Sequence, residues 1–255
     1  MTWRVAWRAT TSALVASALL AWPLQAPAPH VYLIGDSTMA DKPTPETNPE
    51  RGWGQLLPTF FDEHVVVRNR AVNGRSTKSF IDEGRWTAVL SELAAGDVVL
   101  IEFGHNDEKV DDSTRYAAPH TGYRKNLERF VNDARAKRAI PILFTPIVRR
   151  KFDSRGVLQD THGDYPAVVR EVAKTLHVPL IDLLAMTDTL VRRAGPEQSK
   201  RLYVWVAPHT SAMYPEGRED DTHLSVAGAT AVARLVARGL KVAAPTVGRF
   251  VIGLD

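Results

Sequence analysis

The stretch His30-Val-Tyr-Leu-Ile-Gly-Asp-Ser-Thr-Met-Ala40 decides how the chain is read. Val31 to Ile34 are apolar and partly β-branched, the composition of a short buried strand that stops at Gly35. Asp36-Ser37-Thr38 follows, where a strand hands over to a helix. Ser and Asp are ordinary caps for such a helix. A serine at the carboxyl end of the first strand of an α/β chain also stands where these folds place ligands and chemistry.

Working outward, the same grammar repeats. Strand patterns recur at Val65–Val67, Asp97–Phe103, Ile140–Thr145 and Val178–Asp182. Helical patterns lie between and after them, at Gly52–Phe61, Trp86–Leu93, Tyr123–Lys137, Asp164–Leu176, Leu183–Ala194 and Ser225–Leu240. Gly195-Pro196 is a stop signal for the fifth of these helices. Residues 41–51 carry three prolines and read as a surface loop. Residues 201–222 read as irregular and rich in aromatics, with Tyr203, Trp205 and Tyr214. Five alternations of strand and helix predict an α/β chain with a parallel sheet covered on both faces. All five carboxyl ends then share one edge. That edge collects Ser37, Gly74, Asn106 and Arg149 to Lys151, with Asp220 and His223 on the late loop.

Those residue types suit acyl transfer. A serine hydroxyl is too weak an acid to act alone and needs a base, itself oriented by a third group. Asp220-Asp221-Thr222-His223 supplies both, since an aspartate three residues before a histidine reaches its ring when the backbone turns. The tetrahedral intermediate needs donors aimed at its oxyanion. The backbone N–H groups of Ser37 and Gly74 and the side-chain amide of Asn106 are the candidates. Singly, each of these residues also fits a plain turn, cap or loop role.

Composition removes other classes. The 255 residues are 44% hydrophobic and 24% charged, with no fixed repeat. There is no cysteine, which excludes disulfides and thiolate chemistry. Residues 1–28 hold Arg4 and Arg8, no acidic residue and an apolar run from Ser12 to Trp22, the layout of a secretory signal. The expected remainder, 29–255, is a single catalytic domain, secreted or periplasmic, with no membrane contact beyond the signal. Without Arg4 and Arg8, the 32 basic residues become 30 against 29 acidic ones. Net charge therefore points to no nucleic-acid partner. No Gly-x-Ser-x-Gly elbow, P-loop or dinucleotide fingerprint is present. The histidines at 105, 120, 162, 177 and 209 lack metal-ligand spacing, and Asp107 to Asp112 reads as a solvated acidic loop, so no metal or cofactor is expected.

The blocks Gly35-Asp36-Ser37, Asn73-Gly74-Arg75-Ser76, Gly104-His105-Asn106-Asp107 and Asp220-Asp221-Thr222-His223 resemble the four blocks of the SGNH, or GDSL-like, hydrolases. The resemblance implies a three-layer α/β/α flavodoxin-like fold with a five-stranded parallel sheet. It implies a Ser37–His223–Asp220 triad and an oxyanion hole of Ser37, Gly74 and Asn106. The Asp-Ser-Thr opening, the Gly-Arg-Ser turn, Thr145 to Arg150 and Asp160 to Pro166 are similar to rhamnogalacturonan acetylesterases within that superfamily. The implied partner is an acetylated polysaccharide or oligosaccharide, met by a monomer. Arg75, Lys78, Arg149, Arg150 and Lys151 suit a substrate carrying carboxylates, and Trp205 suits sugar stacking. Two alternatives stand beside this reading: an esterase or lipase for other acyl esters, such as acetylxylan or a lysophospholipid, and a non-catalytic glycan-binding module.

Overall fold

Apolar residues alternate along the central strands, and each face of the sheet collects one set. In the computed structural model, which describes residues 1–3, 30–44 and 46–254, β1 (His30–Gly35) sends Val31 and Leu33 to one face and Tyr32 and Ile34 to the other. β3 (Val98–Glu102) and β4 (Ile140–Phe144) divide their side chains the same way. β2 (Val66–Asn69) and the two-residue β5 (Leu180–Ile181) form the edges. The order is β2-β1-β3-β4-β5, every pair parallel. This is the expected five-stranded flavodoxin-like sheet.

Helices cover both faces. α1 (Trp53–Leu56), with a 3₁₀ turn at Leu57–Phe60, covers one face with α6 (Leu183–Gln198) and α7 (Val226–Ala243). α2 (Thr77–Asp82), α3 (Arg85–Glu92), α4 (Arg124–Ala136) and α5 (Tyr165–Thr175) cover the other. There Phe80, Phe103 and Trp86 gather around Phe130, with ring centroids 5.0 to 6.4 Å from it. α8 (Pro245–Gly248) follows α7 directly.

Four elements differ from the sequence reading. No helix follows Ser37; residues 37–39 form a turn, and the next helix begins at Trp53. α2 follows the Gly74 turn, over residues to which the sequence reading gives no helix. α6 does not stop at Ala194: Gly195 kinks it (φ 70°, ψ 176°) and helix resumes to Gln198. The irregular late stretch contains an antiparallel pair, β6 (Tyr203–Val206) and β7 (Arg218–Leu224), outside the main sheet. The signal-like segment falls almost wholly outside the described residues. Among the described residues no helix is long and apolar enough to cross a membrane.

β7 is fastened at three points. Arg51 N donates to Leu224 O at 2.9 Å, Arg150 N donates to Asp221 O at 2.8 Å, and Ser225 N donates to Leu202 O at 3.1 Å. Ser225 then caps α7, accepting from Gly228 N at 3.1 Å. A side-chain carbon on Gly228 would lie 1.8 Å from Leu202 O, so only glycine lets α7 start this close to β6. Gly228→Ala is expected to cost about 1–3 kcal/mol or more through this overlap, read as a fall in Tm of roughly 5 °C or more by thermal unfolding. An unchanged Tm would contradict the packing described.

Candidate active site

Ser37 leaves the end of β1 in a turn built by its neighbours. Asp36 Oδ1 accepts from Thr38 N and lies 2.9 Å from Thr38 Oγ1, while Asp36 O accepts from Ala40 N at 3.0 Å. Burial pushes the Asp36 carboxyl up, but the nearby His105 and the Thr38 hydrogen bonds outweigh it and hold the carboxyl low. Asp36 thus shapes a turn rather than capping a helix.

His223 stands at the end of β7, over this turn. Its Nε2 lies 2.9 Å from Ser37 Oγ. Its Nδ1 lies 2.9 Å from Asp220 Oδ2. Asp220 Oδ1 also accepts the backbone N–H groups of Thr222 and His223, at 2.8 and 2.9 Å. Arg218 Nη2 donates to Asp220 Oδ2 at 2.8 Å. Burial raises the Asp220 carboxyl, yet these bonds from His223 and Arg218 hold it well below the usual carboxylate range. An ionised Asp220 fixes the tautomer in which Nδ1 carries hydrogen, leaving Nε2 free to accept the serine proton.

The loops after β2 and β3 are tied to each other and to β1. Arg70 N and Val72 N donate to Leu33 O and Gly35 O, at 2.8 and 3.1 Å. Gly74 then takes a left-handed conformation (φ 75°) that favours glycine. Asn106 Nδ2 donates to Arg75 O at 3.1 Å. One residue on, buried Asp107 accepts Thr77 N at 3.0 Å. Ser37, Gly74, Asn106 and His223 line one cleft of about 380 Å³. A second, larger groove of about 660 Å³ adjoins it and shares Gly74. Among the described residues, no three His, Asp or Glu side chains converge as metal ligands.

A family model for GDSL-like lipases and acylhydrolases matches residues 33–231, which include every one of these side chains. The chain belongs to the GDSL-like lipase/acylhydrolase family. It is a carboxylic ester hydrolase. It is 46% identical over 211 residues to rhamnogalacturonan acetylesterase RhgT of Bacillus subtilis, covering 83% of this chain and 89% of that one. It is 36% identical over 212 residues to the probable rhamnogalacturonan acetylesterase YesY of the same organism, covering 83% and 92%. The crystal structure of Bacillus subtilis YxiM superposes with a TM-score of 0.71 at 28% identity, covering 84% of this chain and 56% of that one.

Two supports of this GDSL-type site carry no motif in the sequence. Glu102, at the end of β3, is fully buried beneath the nucleophile turn. Trp53 Nε1 donates to it at 2.7 Å, Ile147 N at 3.1 Å, and Thr38 Oγ1 lies 3.3 Å away. Burial, reinforced by the charge on Asp36, pushes its carboxyl up to about 8, so it is neutral at pH 7. Lys42 lies in the proline-rich loop read as surface, yet its side chain is only 2% exposed. Its ammonium donates to Ser37 O at 2.5 Å, Asn73 Oδ1 at 2.6 Å and Glu50 Oε1 at 2.8 Å. All three of its hydrogens are used. The bonds join the nucleophile turn to the residue before Gly74. No local pattern marks a loop lysine as buried; the nearby Glu50 is the one sequence signal.

The substrate-contact candidates separate in space. Arg149 lines the catalytic cleft, with Nη1 donating to Glu108 at 2.8 Å. Arg75 and Lys78 line the adjoining groove, paired with Glu83 and Asp82. Arg150 is buried, donating to Asp221 at 2.6 Å and to Ser199 at 3.1 Å, and it stacks 4.7 Å from the Trp205 ring. Trp205 donates to Asp221 at 3.0 Å, and Lys200 Nζ lies 4.6 Å from its ring. Lys151 is exposed, and neither it nor Arg150 nor Trp205 lines either cleft. The acidic stretch is not simply solvated: Asp107 is buried, and Glu108 joins Arg149 and His162.

Two predictions follow from the supports. Glu102 is protonated more readily folded than unfolded, its carboxyl lying at about 8 against an ordinary 4.5. Its contribution is therefore fully present below pH 4.5 and lost as pH rises toward 8. Glu102→Gln, a neutral mimic, should flatten the fall in Tm across that window; an identical pH profile in wild type and variant would contradict a buried neutral acid. Lys42→Met leaves Asn73 and Glu50 without their partner and should lower kcat on an aryl acetate about tenfold or more while KM moves little. An equal loss carried by KM would contradict a role for Lys42 in positioning the Ser37 and Asn73–Gly74 turns.

Proposed function

We propose that this chain is an exported acetylesterase that removes O-acetyl groups from a carboxylate-bearing plant cell-wall polysaccharide, rhamnogalacturonan above all, by Ser-His-Asp acyl transfer. The observation that carries the reading is the 2.9 Å approach of His223 Nε2 to Ser37 Oγ, in a chain 46% identical to a rhamnogalacturonan acetylesterase. Export is supported by the signal-like composition of residues 1–28. The reading takes 29–255 as a single catalytic domain, supported by one family model that spans residues 33–231, acting as a monomer.

His223 Nε2 takes the Ser37 proton as Oγ bonds to the acetyl carbonyl carbon. The carbonyl oxygen becomes an oxyanion, held by the N–H groups of Ser37 and Gly74 and the amide of Asn106. The imidazolium formed at His223 is stabilised by ionised Asp220. As the C–O bond to the sugar breaks, His223 Nε2 returns the proton to the departing sugar oxygen, leaving acetyl-Ser37. Water then repeats the sequence: His223 accepts its proton, the hydroxide oxygen adds to the acetyl carbon, and acetate leaves as Ser37 is reprotonated. An open cleft of about 380 Å³ with polar walls accommodates a sugar ring bearing a small acyl group.

Ser37→Ala should reduce acetate release from acetylated rhamnogalacturonan by about 10⁴-fold or more with Tm preserved. Substantial residual turnover, measured enzymatically as free acetate, would overturn the assignment of Ser37.

A further inference from the structure

Most cations on the catalytic edge are already neutralised from within. Lys42 meets Glu50, Arg149 meets Glu108, Arg150 meets Asp221 and Arg218 meets Asp220. Arg75 and Lys78 meet Glu83 and Asp82 in the adjoining groove. A substrate carboxylate gains little from a cation that must first give up its own partner.

Two cations keep donors free, and both rise from the loop after β3: Lys109 has no ion pair among the described residues, and Arg115 pairs with Asp112 through Nε alone. Lys109 is exposed and lines the catalytic cleft with Ser37 and Gly74. Among the described residues its ammonium makes no ion pair or side-chain hydrogen bond. Arg115 lines the adjoining groove. Its Nε donates to Asp112 at 2.5 Å, which fixes the guanidinium plane, while both terminal nitrogens make no hydrogen bond among the described residues. A side-chain carbon placed on Gly74 would lie 3.6 Å from Arg115 Nη1. The arginine fork therefore sits beside the glycine that the mechanism uses, where the two clefts meet.

The loop presenting this pair is built rather than loose. Asp112 N donates to Lys109 O at 2.9 Å and Tyr116 N donates to Asp112 O at 2.7 Å. Asp112 divides its carboxylate, Oδ1 on Thr114 and Oδ2 on Arg115. The Tyr165 hydroxyl lies 2.9 Å from Asp107 O and 3.0 Å from Ala117 O, which joins the two ends of the loop. Partial burial of its amino group and the nearby charges of Arg115 and Arg149 lower Lys109 from the ordinary value, against the opposing pull of Asp112 and Asp36. Three cations gathered where the two clefts meet, one of them unpaired among the described residues, mark a place where an anion is favoured.

We infer that Lys109 and Arg115 form a carboxylate subsite at the junction of the two clefts, which binds a uronate carboxylate of the polymer close to the ester being cleaved. The inference rests on the proposed carbohydrate acetylesterase function and adds the residues that make it selective for acidic over neutral polymers. Arg115 offers two terminal N–H groups in a fixed plane, and Lys109 offers a mobile point charge. Neither residue is among the basic positions singled out by sequence.

The test uses the full chain and one reporter, hydrolysis of an aryl acetate. Unacetylated oligogalacturonate should inhibit it competitively, and the methyl-esterified oligomer, which lacks the charge, should inhibit roughly ten- to a hundredfold more weakly. In Lys109→Gln/Arg115→Gln the two oligomers should inhibit alike. Raising salt should erode the preference in the wild type. Lys241→Gln, on the exposed end of α7, should retain wild-type turnover and wild-type preference. Lys109→Gln alone breaks no side-chain bond in the loop and should lose part of the preference even if the double variant folds poorly. Equal inhibition by both oligomers in the wild type, or a preference that survives both substitutions, overturns the subsite. Acetate release from acetylated rhamnogalacturonan oligosaccharide, the uronide substrate, and from acetylated xylooligosaccharide is measured in parallel. Charge-selective inhibition without acetate release from the uronide would refute the proposed function and leave the subsite standing. Release that neither substitution affects would do the reverse.

Discussion

Ser37 and His223 are separated by 186 positions in the chain and by 2.9 Å in space. Everything chemical about the site depends on that contact. A hydrogen bond of this length tolerates little error, so both ends must be fixed independently. The sheet fixes one end: β1 is central, with β2 and β3 paired on either side, and Ser37 leaves its carboxyl edge in a turn closed by Asp36. The β6–β7 ribbon fixes the other end. It belongs to no large sheet and is held instead by backbone bonds from residues 51 and 150 and by the close start of α7 at Gly228.

The ground beneath the nucleophile is polar, which is costly unless every group finds a partner. Glu102 meets this demand by staying neutral while accepting from Trp53 and Ile147. Lys42 meets it by staying charged while donating three bonds. These two buried groups tie the first loop, the nucleophile turn, the Asn73–Gly74 turn and the exit of β4 into one body. Ser37, Gly74 and Asn106 are thereby held in place without substrate, which is what the proposed oxyanion role requires.

What the sequence disclosed follows from what has a period. β1, β3 and β4 are buried on both faces, and their apolar runs are unmistakable. α4, α5 and α7 carry apolar stripes and were legible to within a residue or two at most ends. α2 was not, because it is six residues long and its capping box pairs Ser76 with Ser79 rather than with an acid. β7 was not, because Arg218-Glu-Asp-Asp-Thr-His-Leu224 has no alternation: its strand form is set by pairing with β6, across a register shift between Tyr203 and Trp205. Three of the four motif blocks follow β1, β2 and β3 and so share the sheet's carboxyl edge; the fourth is brought to that edge by the β6–β7 ribbon. Which basic residues face the cleft was hidden, because that depends on which carboxylate each one meets. Arg150 finds Asp221 and turns inward; Lys109, in a stretch that reads as acidic, finds none.

The ester-cleaving reading thus stands on a nucleophile whose environment is specified from three directions. Mass mapping after treatment with a serine-directed phosphonate tests that specification most directly. The account predicts a single adduct on the peptide containing Ser37, formed at a rate that falls when His223 is replaced. An adduct on another serine, or none at all in protein that still releases acetate, would contradict it.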